Sequence, residues 1–195
     1  IDHKGRYSFN NQPKIATWNL ARLAETFLFL IDGDEKIAIK KIEEILIRFE
    51  HNYKILWLQM MKNKIGINNV YEKDFELIDE LLDLMHVFKL DYTNTFIDIE
   101  KDNLGKFYFM KEWNKKLNDR KKLNLTSNKN KVINPTLIPR NHIIEKLLNE
   151  AEKGYFNNIN KFLELIKDPY NRNISEEFTR EPNNNEKVYQ TFCGT

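Results

Sequence analysis

The sequence predicts a mostly α-helical fold, and three observations predict it. Only 6 Gly and 5 Pro occur in 195 residues, too few for the frequent turns that many short strands need. Apolar residues recur three and four positions apart over long stretches, the spacing of one helix face. No stretch alternates apolar and polar residues over the length of a strand. The expectation is about seven helices around one core, with residues 1–170 helical and 171–195 a polar tail.

The first element follows a short polar and aromatic loop, Gly5 to Gln12. Pro13 suits a first helical turn, where a missing N–H costs nothing. From Ile15 to Ile31 apolar residues fall on almost every side, including Trp18, Leu20, Leu23, Phe27 and Leu30. A helix apolar all round is expected to be central and buried. Asp32-Gly33-Asp34 ends it and is placed to cap the next helix.

From Glu35 to about Lys64, Ala38, Ile42, Leu46, Phe49 and Leu56 keep a helical period. Ile65-Gly66-Ile67 breaks it. A helix from about Glu72 to Leu90 carries Phe75, Ile78, Leu81, Leu82 and Met85. Asp91 is a plausible N-cap for the next segment. A further helix holds Phe107, Met110, Trp113 and Leu117. Trp18, Trp57 and Trp113 are all expected in the core.

The stretch from Arg120 to Lys131 is basic and Asn-rich and reads as an exposed loop. Pro135 and Pro139 make an extended connector. Asn141 is expected to cap a helix through Glu152 that Gly154 stops. Phe156 to Lys167 is a last amphipathic helix, ended by Asp168-Pro169. The polar stretch from Asn171 to Asn185 is expected to pack poorly.

Composition excludes several function classes. Hydrophobic residues at 41% and charged residues at 31% mark a globular chain rather than a disordered one. With 31 basic and 29 acidic residues the net charge is +2, too balanced to call for nucleic acid or an anionic membrane. No run approaches the roughly 18 apolar residues of a membrane span. The lone cysteine, Cys193, rules out an internal disulfide and a cysteine-based zinc site. A cytoplasmic setting is the default for such usage.

Sites of chemistry are scarce. His3, His51, His86 and His142 are scattered, with no pair at metal-ligand spacing. Asp79-Glu80 and Glu43-Glu44 lie on polar helix faces, where solvation is the ordinary role. No phosphate-binding Gly loop and no nucleophile elbow occurs. The basic run from Lys111 to Lys131 lacks the interleaved aromatics that stacking on single strands needs.

Several blocks, in order along the whole chain, resemble the C-terminal part of the selenoprotein O family of kinase-like protein adenylyltransferases. They are Gly5-Arg6-Tyr7-Ser8-Phe9 with Asn11-Gln12-Pro13 and Trp18-Asn19-Leu20-Ala21-Arg22-Leu23, then Asp91-Tyr92-Thr93-Asn94-Thr95-Phe96. Asn134-Pro135, Ile138-Pro139-Arg140-Asn141-His142, Ala151-Glu152-Lys153-Gly154, Asp168-Pro169-Tyr170 and the closing Cys193-Gly194-Thr195 complete the set.

The resemblance implies the helical C-lobe portion and C-terminal helical extension of a protein-kinase-like fold. It implies an enzyme that passes AMP from ATP to Ser, Thr or Tyr hydroxyls of proteins, with magnesium bridging the phosphates. The nucleotide-binding, catalytic and metal-binding residues would all lie upstream, with no matching position here. Asp2 is not in an Asp-Tyr-Gly setting and takes no metal role. Protein substrates and a missing N-terminal half are the implied partners. No nucleic acid, membrane or cofactor is expected of this part alone. The alternative is a non-catalytic helical module that binds a protein.

Within the resembling blocks, Arg6, Gln12, Arg22 and Arg140 are expected to order loops against the helical core, as arginine forks brace loops elsewhere. Cys193 matches a terminal position that holds Cys or selenocysteine in other members, so a redox role is implied for it. Its local partner in some members falls three residues earlier, where this chain has Gln190.

Overall fold

The computed structural model describes residues 5, 6, 8–69, 71, 73–124 and 132–187. Among them every regular element is helical. The chain divides into two compact units, Ile1–Met60 and Met61–Thr195.

In the first unit the opening loop folds on itself. Gly5 adopts φ +63, a left-handed conformation that favours glycine. Its carbonyl accepts from the Ser8 N–H at 3.0 Å and from the Asn11 side-chain amide at 2.8 Å. Asn11 is also the N-cap residue of α1 (Gln12–Glu25), yet it makes no side-chain cap bond; its side-chain N–H donates to Gly5 instead. Pro13 sits in the first turn as read from the sequence.

α2 (Leu28–Ile31) is one turn. Asp34 then caps α3 (Glu35–Lys64), accepting from the Lys36 N–H at 2.9 Å. Both bounds of α3 match the apolar period.

The expected burial of the first helix is not found. Neither α1 nor α2 has a buried residue, and Trp18 is 49% exposed. Of the apolar side chains described in this unit, only Ala38 and Ile42 are buried. A helix that is apolar all round needs neighbours all round, and this unit offers only two other helices, one of them a single turn. The single core expected from the sequence is therefore confined to the second unit.

In that unit α4 (Asp74–Val87) packs on α6 (Lys111–Lys121). The buried residues of this unit include Ile78 and Leu81 of α4, Phe96 and Ile99 of α5 (Tyr92–Glu100), Met110 just before α6, and Trp113 and Leu117 of α6. Trp113 is buried and its indole N–H donates to the Leu77 carbonyl at 2.8 Å, so its one polar atom is satisfied.

A second cluster joins α7 (Asn141–Glu152), α8 (Asn157–Leu165) and α9 (Glu176–Thr179) through Leu137, Ile143, Leu147, Phe162 and Phe178. Gly154 ends α7 at φ +86, with the Tyr155 N–H returning to the Glu150 carbonyl. Two details depart from expectation. The N-cap of α7 is Arg140, not Asn141, because Arg140 keeps an extended backbone at φ −85, ψ 133. The stretch after Asn171 does pack: Phe178 is buried against Phe162, ring centroids 5.8 Å apart.

Trp113→Ala removes the largest fully buried side chain among the described residues. The expected cost is about 3–5 kcal/mol, read by denaturant unfolding.

Candidate functional site

Arginines bound to carboxylates join connectors to helices in the second unit; of these carboxylates Asp74 is buried, while Asp91 and Glu100 are partly exposed. Arg140, at the end of the extended connector, reaches Asp91 at the start of α5. Its Nη1 donates to Oδ2 at 2.6 Å and its Nη2 to Oδ1 at 2.8 Å. Asp91 is at the same time the N-cap of α5 and accepts from the Asn94 N–H at 2.8 Å. One carboxylate thus satisfies an orphan helix donor and holds a connector 49 residues away in sequence. Burial raises the Asp91 pKa, but the Arg140 bonds and charge and the Asn94 N–H outweigh it. The carboxyl stays below its ordinary value of 3.8.

The connector is held at a second point. The Asn134 side-chain amide donates to the Lys64 carbonyl and to Glu100, at 2.9 Å each. The backbone N–H of Asn134 donates to the same Glu100 oxygen at 3.0 Å. Arg172 completes the cluster, donating to Glu100 and, at 2.7 Å, to the Thr136 hydroxyl. The Thr136 and Leu137 N–H groups both donate to the Pro169 carbonyl. Burial raises the Glu100 pKa, and the Asn134 and Arg172 bonds bring it below the usual range.

A second fork joins Arg120 on α6 to Asp74, which begins α4: Nε donates to Oδ1 at 2.5 Å and Nη2 to Oδ2 at 3.1 Å. Arg120 also donates to the Asn69 side-chain and backbone oxygens. Lys62 approaches Asp74 at 3.5 Å. Lys62, Asp74 and Arg120 are all buried. The sequence reading had assigned Arg120 to an exposed loop. It lies in the last turn of α6, on the same face as the buried Trp113 and Leu117, and that spacing is the signal that was available.

The expected loop-ordering residues fall in separate places. Arg6 lies 4.7 Å from the centroid of the Trp18 ring and Arg22 lies 5.8 Å from it. Arg22 pairs with Glu25 one turn on. Gln12 opens α1. These three share the first unit, whereas Arg140 belongs to the second. The Arg6 contact ties the opening loop to α1 at an exposed site, worth about 0.5–1 kcal/mol. Cys193 lies outside the described residues, as do Lys129 and Lys131 of the basic run.

Among the described residues no three His, Cys, Asp or Glu side chains converge to hold a metal ion. No helix among them is long and apolar enough to cross a membrane. Among the described residues these contacts join connectors to helix ends.

The family described as protein adenylyltransferase SelO matches residues 1–112. The chain belongs to that family. A protein nucleotidyltransferase YdiU of Pelagibacter ubique is 41% identical over 211 residues, an alignment that covers all of this chain and 43% of the relative. One from Clostridium botulinum is 40% identical over 207 residues, covering all of this chain and 42% of that protein. A Clostridium beijerinckii relative is 37% identical, again with 42% of its length covered. The chain spans less than half the length of the curated relatives it matches.

Arg140→Met leaves the partly exposed Asp91 carboxylate without its fork and is expected to cost about 1–3 kcal/mol. Arg140→Lys should recover only part of that, since an ammonium cannot fork. The Asp91 carboxyl titrates lower in the folded chain than in the unfolded one. Its contribution is therefore present above pH 3.8 and is lost as pH falls through the folded value. Denaturation across that acid window should show a steeper loss for the native chain than for Asp91→Asn.

Proposed function

We propose that this chain is the C-terminal portion of a protein adenylyltransferase, and that the whole enzyme transfers AMP from ATP to Ser, Thr or Tyr hydroxyls of protein substrates. The observation that carries this is the alignment. Relatives named as protein nucleotidyltransferases cover all of this chain, yet it accounts for only 42–43% of their length. ATP and magnesium are then held by residues outside this chain. In such transfer the metal offsets phosphate charge while the hydroxyl attacks in line. The part of this chain is structural. Its forks fix the connectors of a helical scaffold in the manner of a kinase C-lobe with a helical extension. A cytoplasmic setting accords with a sequence holding one cysteine.

The exposed apolar residues of the first unit support the same reading. Leu23, Phe29, Leu30, Ile47 and Leu56 are all exposed. So much apolar surface in one small helical unit marks an interface. In the whole enzyme its occupant is the remaining polypeptide. A free-standing protein-interaction module would use the same surface for a different protein.

Transfer of labelled AMP separates the two readings. The chain alone should transfer none to a test protein, whereas the longer protein that contains it should do so with ATP and magnesium. Transfer by the chain alone would place catalytic residues within it. A longer protein that binds no ATP and transfers nothing would favour the interaction module.

A further inference from the structure

α4 has two faces of different character. Leu77, Ile78, Leu81 and Met85 are buried. On the other side Glu76, Asp79 and Asp83 are exposed, and their three- and four-residue spacing puts them in one row. A merely solvated face would carry polar side chains alone. This one also carries apolar side chains: Phe75 is 53% exposed and Val87 is 68% exposed, one at each end of the row. Between them runs a groove of about 400 Å³, to which Leu84 contributes. One turn past Leu84, Phe88 is exposed at its edge and stacks on Phe109, ring centroids 3.6 Å apart.

The charge of α4 is opposite in sign to that of the chain. The whole sequence carries a net +2, whereas α4 holds Asp74, Glu76, Asp79, Glu80 and Asp83 and no Lys or Arg. Arg120 engages Asp74 and Lys116 engages Glu80. Glu76, Asp79 and Asp83 form no ion pair among the described residues. Lys116 shows how this face receives a cation. Its Nζ donates to both Glu80 oxygens at 2.8 Å, at the edge of the same groove.

We propose that this groove docks a basic amphipathic helix of a separate protein. Its Lys or Arg side chains would meet Glu76, Asp79 and Asp83, and its apolar side chains would meet Phe75, Leu84 and Val87. Length and period fit. From Phe75 to Val87, α4 rises about 18 Å, roughly three helical turns. A partner helix repeats the same three- and four-residue spacing, so its cations meet the carboxylates in register.

Composition sets the kind of partner. An apolar strip rimmed by charge is the anatomy of an interface that forms and separates, whereas permanent interfaces are more apolar. The exposed apolar surface of the first unit is of the permanent kind. Each exposed ion pair contributes little alone; the row of three and the apolar ends act together. Docking here is independent of the transfer chemistry.

Fluorescence anisotropy on the intact protein tests this with a labelled synthetic peptide. The probe is a helix-forming peptide of about fifteen residues, with Lys along one stripe at three- and four-residue spacing and Leu at both ends of that stripe. A control peptide has the same composition in scrambled order. The native protein should bind the patterned peptide, and the control several times more weakly. Glu76→Gln, Asp79→Asn and Asp83→Asn combined should lower the affinity about tenfold, the effect of three exposed ion pairs of ordinary strength. Val87→Ser should lower it severalfold without changing its salt dependence, since no charge is removed. All four side chains are exposed, so both variants should unfold like the native protein in denaturant. Equal affinity for the native protein and the triple variant overturns the proposal. So does equal binding of the two peptides, which leaves only unspecific attraction of charge. No binding of the patterned peptide to the intact protein also overturns it, and assigns this face to the rest of the polypeptide.

Discussion

The second unit depends on Arg140 gripping Asp91. The carboxylate is asked to do two things, and the geometry lets it do both. It caps α5 through the Asn94 N–H, and it fixes the end of a connector that crosses from the α4–α6 layer to the α7–α8 layer. Largely buried pairs of this kind add little net stability compared with an apolar contact of the same volume. What they specify is register, because a planar fork accepts one orientation of its partner. Arg120 repeats the fork on Asp74, whereas Arg172 divides its two Nη groups between Glu100 and the Thr136 hydroxyl. The connectors are thus held by directional bonds, while the apolar clusters supply the bulk of the cohesion.

The first unit is built the other way. Its opening loop is closed by local bonds from Ser8 and Asn11 to Gly5, and its helices carry their apolar side chains outward. Local order there does not require a core. A buried Trp needs a partner for its N–H and close neighbours on both faces, as Trp113 has; Trp18 has two guanidiniums nearby and half its surface open.

Much of the architecture was legible in the sequence because it is set by local signals. The bounds of α3 follow from its apolar period, the start of α5 from Asp91, and the end of α7 from Gly154. Two pairs of the resembling blocks, all in the second unit, lie in contact. The Asp91 block meets the Arg140 block, and the backbone after Pro135 meets the Pro169 carbonyl. What was not legible depends on distant partners. The burial of Arg120 needs Asp74, 46 residues away. The docking of Phe178 needs Phe162, and a polar flanking sequence hides one anchoring aromatic. The exposure of α1 could not be read from its composition, since a helix apolar all round signals burial without saying by what.

The central claim is that this chain braces an adenylyltransferase whose nucleotide chemistry lies elsewhere in the polypeptide. Photolabelling of the intact protein with an azido-ATP analogue, followed by peptide mapping, tests it most directly. The account predicts that ATP-competable label falls on peptides outside this 195-residue segment. Competable label on peptides within residues 5–187 would contradict it.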